Sequence, residues 1–247
     1  MTEVDTWERN GCIVRIFYDE DCESPRDYDG NFTFLGFPHR NYKIGDETID
    51  PSDPLPCPVC EGEGEVFRTD EETGHEYARH ECLECEGEGE GYLHNLEELM
   101  AGLTIKYQAR VIRPVGMLDH SGVMFYLGGG PHWSDSAGWD SGTCGVILAT
   151  EKAMSERWGE KWKDDYPSDP SAEGWATSPY NEAFIVECMK AEIDEYSKWA
   201  NGECYGYTIT RDGEEIDACW GFIGHDAVEE AANEAADAQD PPTKETP

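Results

Sequence analysis

Runs of apolar residues at two different periods divide this chain into strand-forming and helix-forming stretches. Residues 11–18 (Gly-Cys-Ile-Val-Arg-Ile-Phe-Tyr) are β-branched and aromatic and predict a strand. An acidic loop follows to residue 29, and residues 31–43 are aromatic-rich without a regular period. Residues 50–56 hold Pro51, Pro54 and Pro56 and read as a connector. A short helix is expected over 95–100, then one long strand or two over 103–117, and further strands over 122–127 and 145–149. Residues 150–163 read as a helix capped by Thr150 with Glu151 in its first turn, and 164–177 as a loop. The strongest helix is expected over 179–201, with Ser178 as cap, Pro179 at its first position and Gly202 just past its end. Ile185, Met189, Ile193, Tyr196 and Ala200 recur at steps of three and four and make one apolar stripe, the pattern of core packing. Residues 204–210 and 215–220 alternate around Asp212-Gly213, which predicts a β-hairpin. An Ala-rich helix over 226–238 and a Pro-rich, disordered tail over 239–247 complete the chain. Strands and helices mix without a βαβ rhythm, so the expected class is α+β, with a mixed or antiparallel sheet and packed helices.

One motif interrupts this pattern twice. Cys57-Pro58-Val59-Cys60-Glu61-Gly62-Glu63-Gly64 returns 25 residues later as Cys82-Leu83-Glu84-Cys85-Glu86-Gly87-Glu88-Gly89. Paired C-x-x-C turns present four thiolates at the spacing of a tetrahedral zinc site, so Cys57, Cys60, Cys82 and Cys85 are the expected ligands of one structural Zn²⁺. The glycines let the chain fold back where a Cβ would clash. Residues 61–81 can form a hairpin that brings the two turns together, with the metal replacing the core so short a segment lacks. A Cys₄ site leaves no open position, which points to a staple; a redox C-x-x-C is the other reading. His75 and His80 lie within the module and are alternative ligands. The expected organisation is residues 1–56 as the N-terminal part of the α+β body, 57–91 as the inserted zinc hairpin, 92–238 as the main body and 239–247 as the tail. The module resembles half of the cysteine-rich domain of DnaJ-type J-domain chaperones, in which four such repeats hold two zincs. The chain has no His-Pro-Asp tripeptide, so the resemblance covers about residues 57–91 and implies the zinc knot without co-chaperone activity.

Charge narrows the functional classes. The 247 residues include 54 acidic and 18 basic, a net charge of −36. Such a field repels nucleic acid and anionic lipid, so direct binding to either is not expected. It leaves three readings: a solvated surface kept for solubility or high salt, a surface complementary to a basic protein, and divalent-cation binding by carboxylates. The module is itself acidic, with twelve acids and two bases over 57–91, a balance of −10. The absence of a long apolar run and of a basic, then apolar leader leads to the expectation of a cytoplasmic protein. Cys12, Cys22, Cys144, Cys188, Cys204 and Cys219 have no tight spacing and are expected reduced, several of them buried.

Polar clusters fall in expected loops: Pro25-Arg26-Asp27-Tyr28-Asp29, His39 to Asp46, Asp119-His120-Ser121-Gly122, Trp139-Asp140-Ser141-Gly142 and Asp217 to Gly224. In that order they resemble the PRDWDN, HRRYNLGD, DHSG, WDSG and DSCWGFYG blocks of an uncharacterised family from bacteriophages and prophages, with the zinc module inserted between the second and third. Tyr28, Gly30, Asn41, Lys43, Ile44, Ala218 and Ile223 depart from that pattern. The resemblance implies a phage origin, and hence a host-cell cytoplasm, more than a mechanism. His120, Ser121, Asp140 and Ser141 are the candidate catalytic residues, because a nucleophile, a base and an orienter must come from separate segments. His39, His120 or His132 with a nearby Asp is a candidate metal site. Asp-Ser-Gly and His-Ser-Gly turns also fold on their own side-chain hydrogen bonds, without any chemistry. The function expected first is a non-enzymatic accessory protein that binds a basic host protein, as a DNA mimic or anti-defence factor facing a nucleic-acid-binding or defence protein. The alternative is a small hydrolase or nuclease using the Asp119-His120-Ser121 and Asp140-Ser141 loops.

Overall fold

The computed structural model describes residues 1–28, 30–69 and 76–239, with backbone alone at 68, 69 and 76–78. Asp29 and His75 fall outside these residues, as does the expected tail beyond Gln239. The chain opens with β1 (Glu3–Arg9), β2 (Cys12–Tyr18), α1 (Pro25–Tyr28), β3 (Thr33–Gly36), β4 (Glu47–Thr48) and β5 (Leu55–Pro56). Then come β6 (Glu65–Thr69), β7 (Glu76–Glu81), β8 (Glu90–Gly91), α2 (Leu96–Tyr107), β9 (Ala109–Asp119), β10 (Val123–Leu127) and β11 (Ser141–Thr150). The remainder is α3 (Glu151–Trp158), α4 (Trp162–Asp165), α5 (Glu182–Ala200), β12 (Cys204–Arg211), β13 (Glu214–Ile223) and α6 (His225–Asp237). Helices and sheets coexist, and the fold is α+β. Two compact units divide it: one holds residues 1–29, 118–126 and 191–247, the other 30–117 and 127–190. The chain passes between them within β9, β10 and α5.

The first unit is built on the antiparallel sheet β1-β2-β12-β13. Asn10 and Gly11 take positive φ, 49° and 72°, and join β1 to β2; Asp212 and Gly213, at 51° and 85°, join β12 to β13. These mirror-image turns match the twist of the strands they connect. Alternation sends Cys12, Val14 and Ile16 of β2 and Tyr205, Tyr207 and Ile209 of β12 to one face, where Val228, Ala232 and Ala236 of α6 cover them. Small residues at i, i+4 and i+8 let that helix lie close to the sheet. Asn10 Nδ2 donates to the Ala236 and Gln239 carbonyls (3.1 and 2.6 Å), so the N-terminal turn satisfies the end of α6. On the other face Trp220 lies over Gly206, where a Cβ would meet its ring at 2.0 Å. Arg26 Nη1 pairs with Glu192 Oε2 at 2.8 Å, both side chains almost wholly buried. The end of α5 runs as its sequence predicts: Gly202 has φ 76°, and the Glu203 N–H donates to the Lys198 carbonyl (3.0 Å).

In the second unit β9, β11, β3 and β4 lie side by side in that order. Cys144 to Ala149 of β11 are buried continuously, and Val146 pairs with Leu35 of β3. Leu99 and Leu103 of α2 join Leu35, Leu55, Val146 and Leu148 in one apolar cluster. This helix corrects the expectation of a strand from residue 103. Leu99 and Leu103 lie one helical turn apart and are buried together on one face of it, and Gln108, at φ 52°, ends the helix before β9 begins. A second correction concerns α5, which starts at Glu182. Its cap is Asn181, whose Oδ1 accepts the Ala183 N–H at 3.1 Å. Ser178 is buried and donates its hydroxyl to the Pro167 carbonyl at 2.6 Å. Thr150 caps α3 as expected, accepting from the Ala153 N–H. Segment 57–91 belongs wholly to this unit, and the two-stranded pair β5–β8 closes its base, Leu55 opposite Gly91 and Pro56 opposite Glu90. Leu55 thereby carries the base into the α2 cluster. Gly102 of α2 is the point of close approach, since a Cβ there would sit 3.1 Å from the Pro56 carbonyl oxygen. Among the described residues, no helix is long and apolar enough to cross a membrane.

Candidate metal centre

Each C-x-x-C turn folds on its own backbone. The Gly62 N–H donates to the Cys57 carbonyl (3.2 Å) and the Glu63 N–H to the Cys60 carbonyl (2.9 Å). Twenty-five residues on, Gly87 and Glu88 repeat both bonds on Cys82 and Cys85, at 3.0 and 2.9 Å. The dihedral angles repeat as well. Glu61 and Glu86 have φ 52° and 50°, Gly62 and Gly87 87° and 81°, Gly64 and Gly89 76° and 78°. The two knuckles are one structure used twice, related by a local pseudo-twofold.

Reciprocal contacts join them. The Cys57 N–H donates to the Gly89 carbonyl and the Cys82 N–H to the Gly64 carbonyl, both at 2.8 Å. A Cβ on Gly64 would meet the Gly87 carbonyl oxygen at 2.3 Å, and one on Gly89 would meet that of Gly62 at 2.4 Å. These two glycines are required by close backbone approach as well as by positive φ. The antiparallel pair β6–β7 spans the knuckles as the expected hairpin, Glu65 opposite Glu81 and Val66 opposite His80.

This framework brings Cys57, Cys60, Cys82 and Cys85 together. All four are buried, and their sulfurs lie within 4.8 Å of one another. Cys57 and Cys82 are 3.9 Å apart and Cys60 and Cys85 3.7 Å, separations well beyond a disulfide bond. The Gly64 and Gly89 N–H groups donate to Cys60 and Cys85 Sγ, each at 3.3 Å, so the repeated turns hold these two sulfurs in the same way. The backbone N–H groups of Cys85 and then Glu84 pull the Cys82 thiol down to about 7 against the opposing effect of burial. Burial raises that of Cys85. The four cysteines are placed to bind a metal ion. Val66 packs against them, and Glu61, Glu63, Glu86 and Glu88 stand exposed around them. Among the described residues no second group of three or more His, Cys, Asp or Glu comes close enough to share an ion, so His39, His120 and His132 are not gathered into one.

The other candidate residues lie in turns. Asp119, His120 and Ser121 close β9 onto β10; the His120 N–H donates to the Gly122 carbonyl (3.0 Å), and Ser121 takes φ 61°. They belong to the first unit, Asp140 and Ser141 to the second. Ser141 Oγ donates to Asp135 Oδ2 (2.8 Å) and accepts the His132 backbone N–H (2.9 Å). His132 Nδ1 faces Ser134 Oγ at 2.7 Å. Asp135, which also accepts the Asp140 N–H at 2.8 Å, is the organising residue of this loop, and sequence reasoning passed over it. The Asp140 N–H, then the Ser141 hydroxyl, hold the Asp135 carboxyl below its ordinary value. Its bonds span five and six residues, a spacing that no turn motif specifies. Of the remaining cysteines, Cys12, Cys144, Cys188 and Cys204 are buried and none forms a disulfide; burial pushes Cys144 up to about 12.

No protein-family model, no curated protein and no solved structure matches this chain.

Proposed function

We propose that this is a non-catalytic binding protein in which one structural zinc holds an acidic protrusion toward a basic protein partner. The donor set supports zinc. Four sulfurs about 2.3 Å from a central Zn²⁺ form a tetrahedron with edges of about 3.8 Å. The two pairs across the pseudo-twofold, at 3.9 and 3.7 Å, match that edge. A buried Cys₄ set leaves no position for a substrate, so the metal staples the module.

The observation that carries the binding reading is the placement of the glutamates. Burying four cysteines requires none of Glu61, Glu63, Glu86 and Glu88, yet all four are exposed around the staple of a chain with net charge −36. Complementary potential steers such a surface to a basic partner, and the partner's nucleic-acid-binding face is the surface that already fits a dense array of anions. In a phage setting that partner is a host protein.

The test is capture from host lysate on the immobilised protein at low and high salt. A parallel capture uses the Glu61→Gln/Glu63→Gln/Glu86→Gln/Glu88→Gln variant. The reading predicts a basic protein retained by the wild type at low salt, released by high salt or by added DNA, and lost by the variant. Equal recovery by the two proteins removes the module from the interface.

A further inference from the structure

We infer that the zinc module carries a groove for a basic linear segment with an apolar anchor side chain, a reading that rests on the acidic-surface function proposed above. Beside the knuckles lies a groove of about 560 Å³ lined by Val59, Val66 and Leu83 with His80, Glu81, Glu84 and the ligand Cys82. Leu83 is 91% exposed and Val59 59%. Neither residue serves the metal. Both are the interchangeable middle residues of C-x-x-C turns, whose hydrogen bonds come from cysteine, glycine and backbone.

The departure from internal symmetry points the same way. Ligands, glycines and dihedral angles repeat at an offset of 25 residues, but Val59 corresponds to Glu84, Leu83 to Pro58 and Val66 to Gly91. The apolar residues therefore gather on one side of a staple that is otherwise twofold. Two apolar side chains held open to water, beside a half-buried third, around one concavity mark a binding surface more than solubility does.

Charge selects the occupant. Glu81 and Glu84 line the groove of a module whose balance is −10. Arg79 does not neutralise it, because its guanidinium pairs with Glu65 at 2.9 Å and lies over the Phe67 ring. A second copy of this chain brings the same −36 and is repelled. A segment with Lys or Arg on either side of a Leu- or Ile-sized residue meets both features: the anchor displaces water from the apolar floor while the cations face the rim carboxylates.

Fluorescence anisotropy on the full-length, zinc-loaded protein tests this with three labelled twelve-residue peptides. The first is Lys/Arg-rich with two central leucines, the second has serine for leucine, and the third keeps the leucines with glutamine for every Lys and Arg. The wild type is expected to bind the first about tenfold or more tightly than the second, as burial of one aliphatic side chain implies. Its preference over the third should fall with salt. The Val59→Ser/Leu83→Ser variant, with its zinc content unchanged, should lose the discrimination between the first two peptides while keeping the salt dependence. Equal affinity of the wild type for the leucine and serine peptides, both salt-sensitive, overturns the groove and leaves the acidic-surface reading standing. Equal affinity for the first and third overturns the charge selection and makes the groove a general apolar site. Failure to bind any of the three, at low salt as at high, sinks the groove and counts against the acidic surface as well. The peptide changes leave the protein untouched, so unfolding of a variant cannot mimic these results.

Discussion

Gly64→Ala tests the packing of the two knuckles at its tightest point. Gly64 has φ 76°, and a Cβ there would meet the Gly87 carbonyl oxygen at 2.3 Å. The left-handed backbone costs an L side chain roughly 1–2 kcal/mol. Clearing the carbonyl requires the knuckles to part by about 1 Å, and overpacking of that kind costs roughly 1–3 kcal/mol. The total is about 2–5 kcal/mol, and metal binding shares it because ligand assembly and folding of the module are one process. Zinc affinity should fall between about thirtyfold and a few thousandfold. Gly62→Ala is the control. Its φ is 87°, but a Cβ there meets Pro56 Cβ at 3.5 Å, an ordinary contact, so only the backbone term of about 1–2 kcal/mol applies. Competition against a chromophoric chelator at fixed pH reads both constants. Gly89→Ala should behave like Gly64→Ala, since its Cβ would meet the Gly62 carbonyl oxygen at 2.4 Å. Equal affinities for the Gly62→Ala and Gly64→Ala proteins would refute the reciprocal packing on which the metal centre is built.

Arg26→Ala leaves Glu192 charged and buried, and should destabilise the first unit by about 3–5 kcal/mol in urea unfolding, whereas Arg26→Met with Glu192→Leu should recover most of the loss. Ser141→Ala removes a hydroxyl that lowers the Asp135 carboxyl, so carboxyl-carbon NMR should show that group rising toward the ordinary Asp value. The sign for stability follows. A depressed carboxyl stabilises the loop above its unfolded value and loses that contribution as pH falls through its folded one, so the variant's loop should loosen at higher pH than the wild type's. Cys57→Ser should abolish zinc binding and melt the β6–β7 hairpin while amide exchange in β2 and β12 stays slow, because the module and those strands belong to different units.

How far the sequence reached depended on whether a residue's role was local. The knuckles were legible because ligand type, glycine and spacing all lie within eight residues. The Asp212-Gly213 hairpin was legible for the same reason. Asn10-Gly11 carries an equal signal but was passed over, because β1 is exposed along nearly its whole length and shows no apolar alternation. Thr104 and Ile105 favour a strand by propensity, yet packing of Leu99 and Leu103 keeps that stretch helical. Ser178 and Asn181 are both acceptable caps; burial of Ser178 against the Pro167 carbonyl decided between them, and that contact is tertiary. The two-unit division was not legible because the chain changes unit inside β9, β10 and α5, where no linker composition marks the boundary. Asp135 escaped notice because its bonds to Asp140 and Ser141 depend on a loop conformation that no motif specifies.

The central claim is that four cysteines form one closed zinc centre beneath an acidic, partner-facing surface. Metal analysis of the purified full-length protein, with thiol titration before and after chelation, tests it most directly. The account predicts one zinc per chain, four thiols that become reactive only when the metal is removed, and loss of both features together in Cys60→Ser. A protein purified without metal, with Cys57, Cys60, Cys82 and Cys85 freely reactive or joined in disulfides, would contradict it.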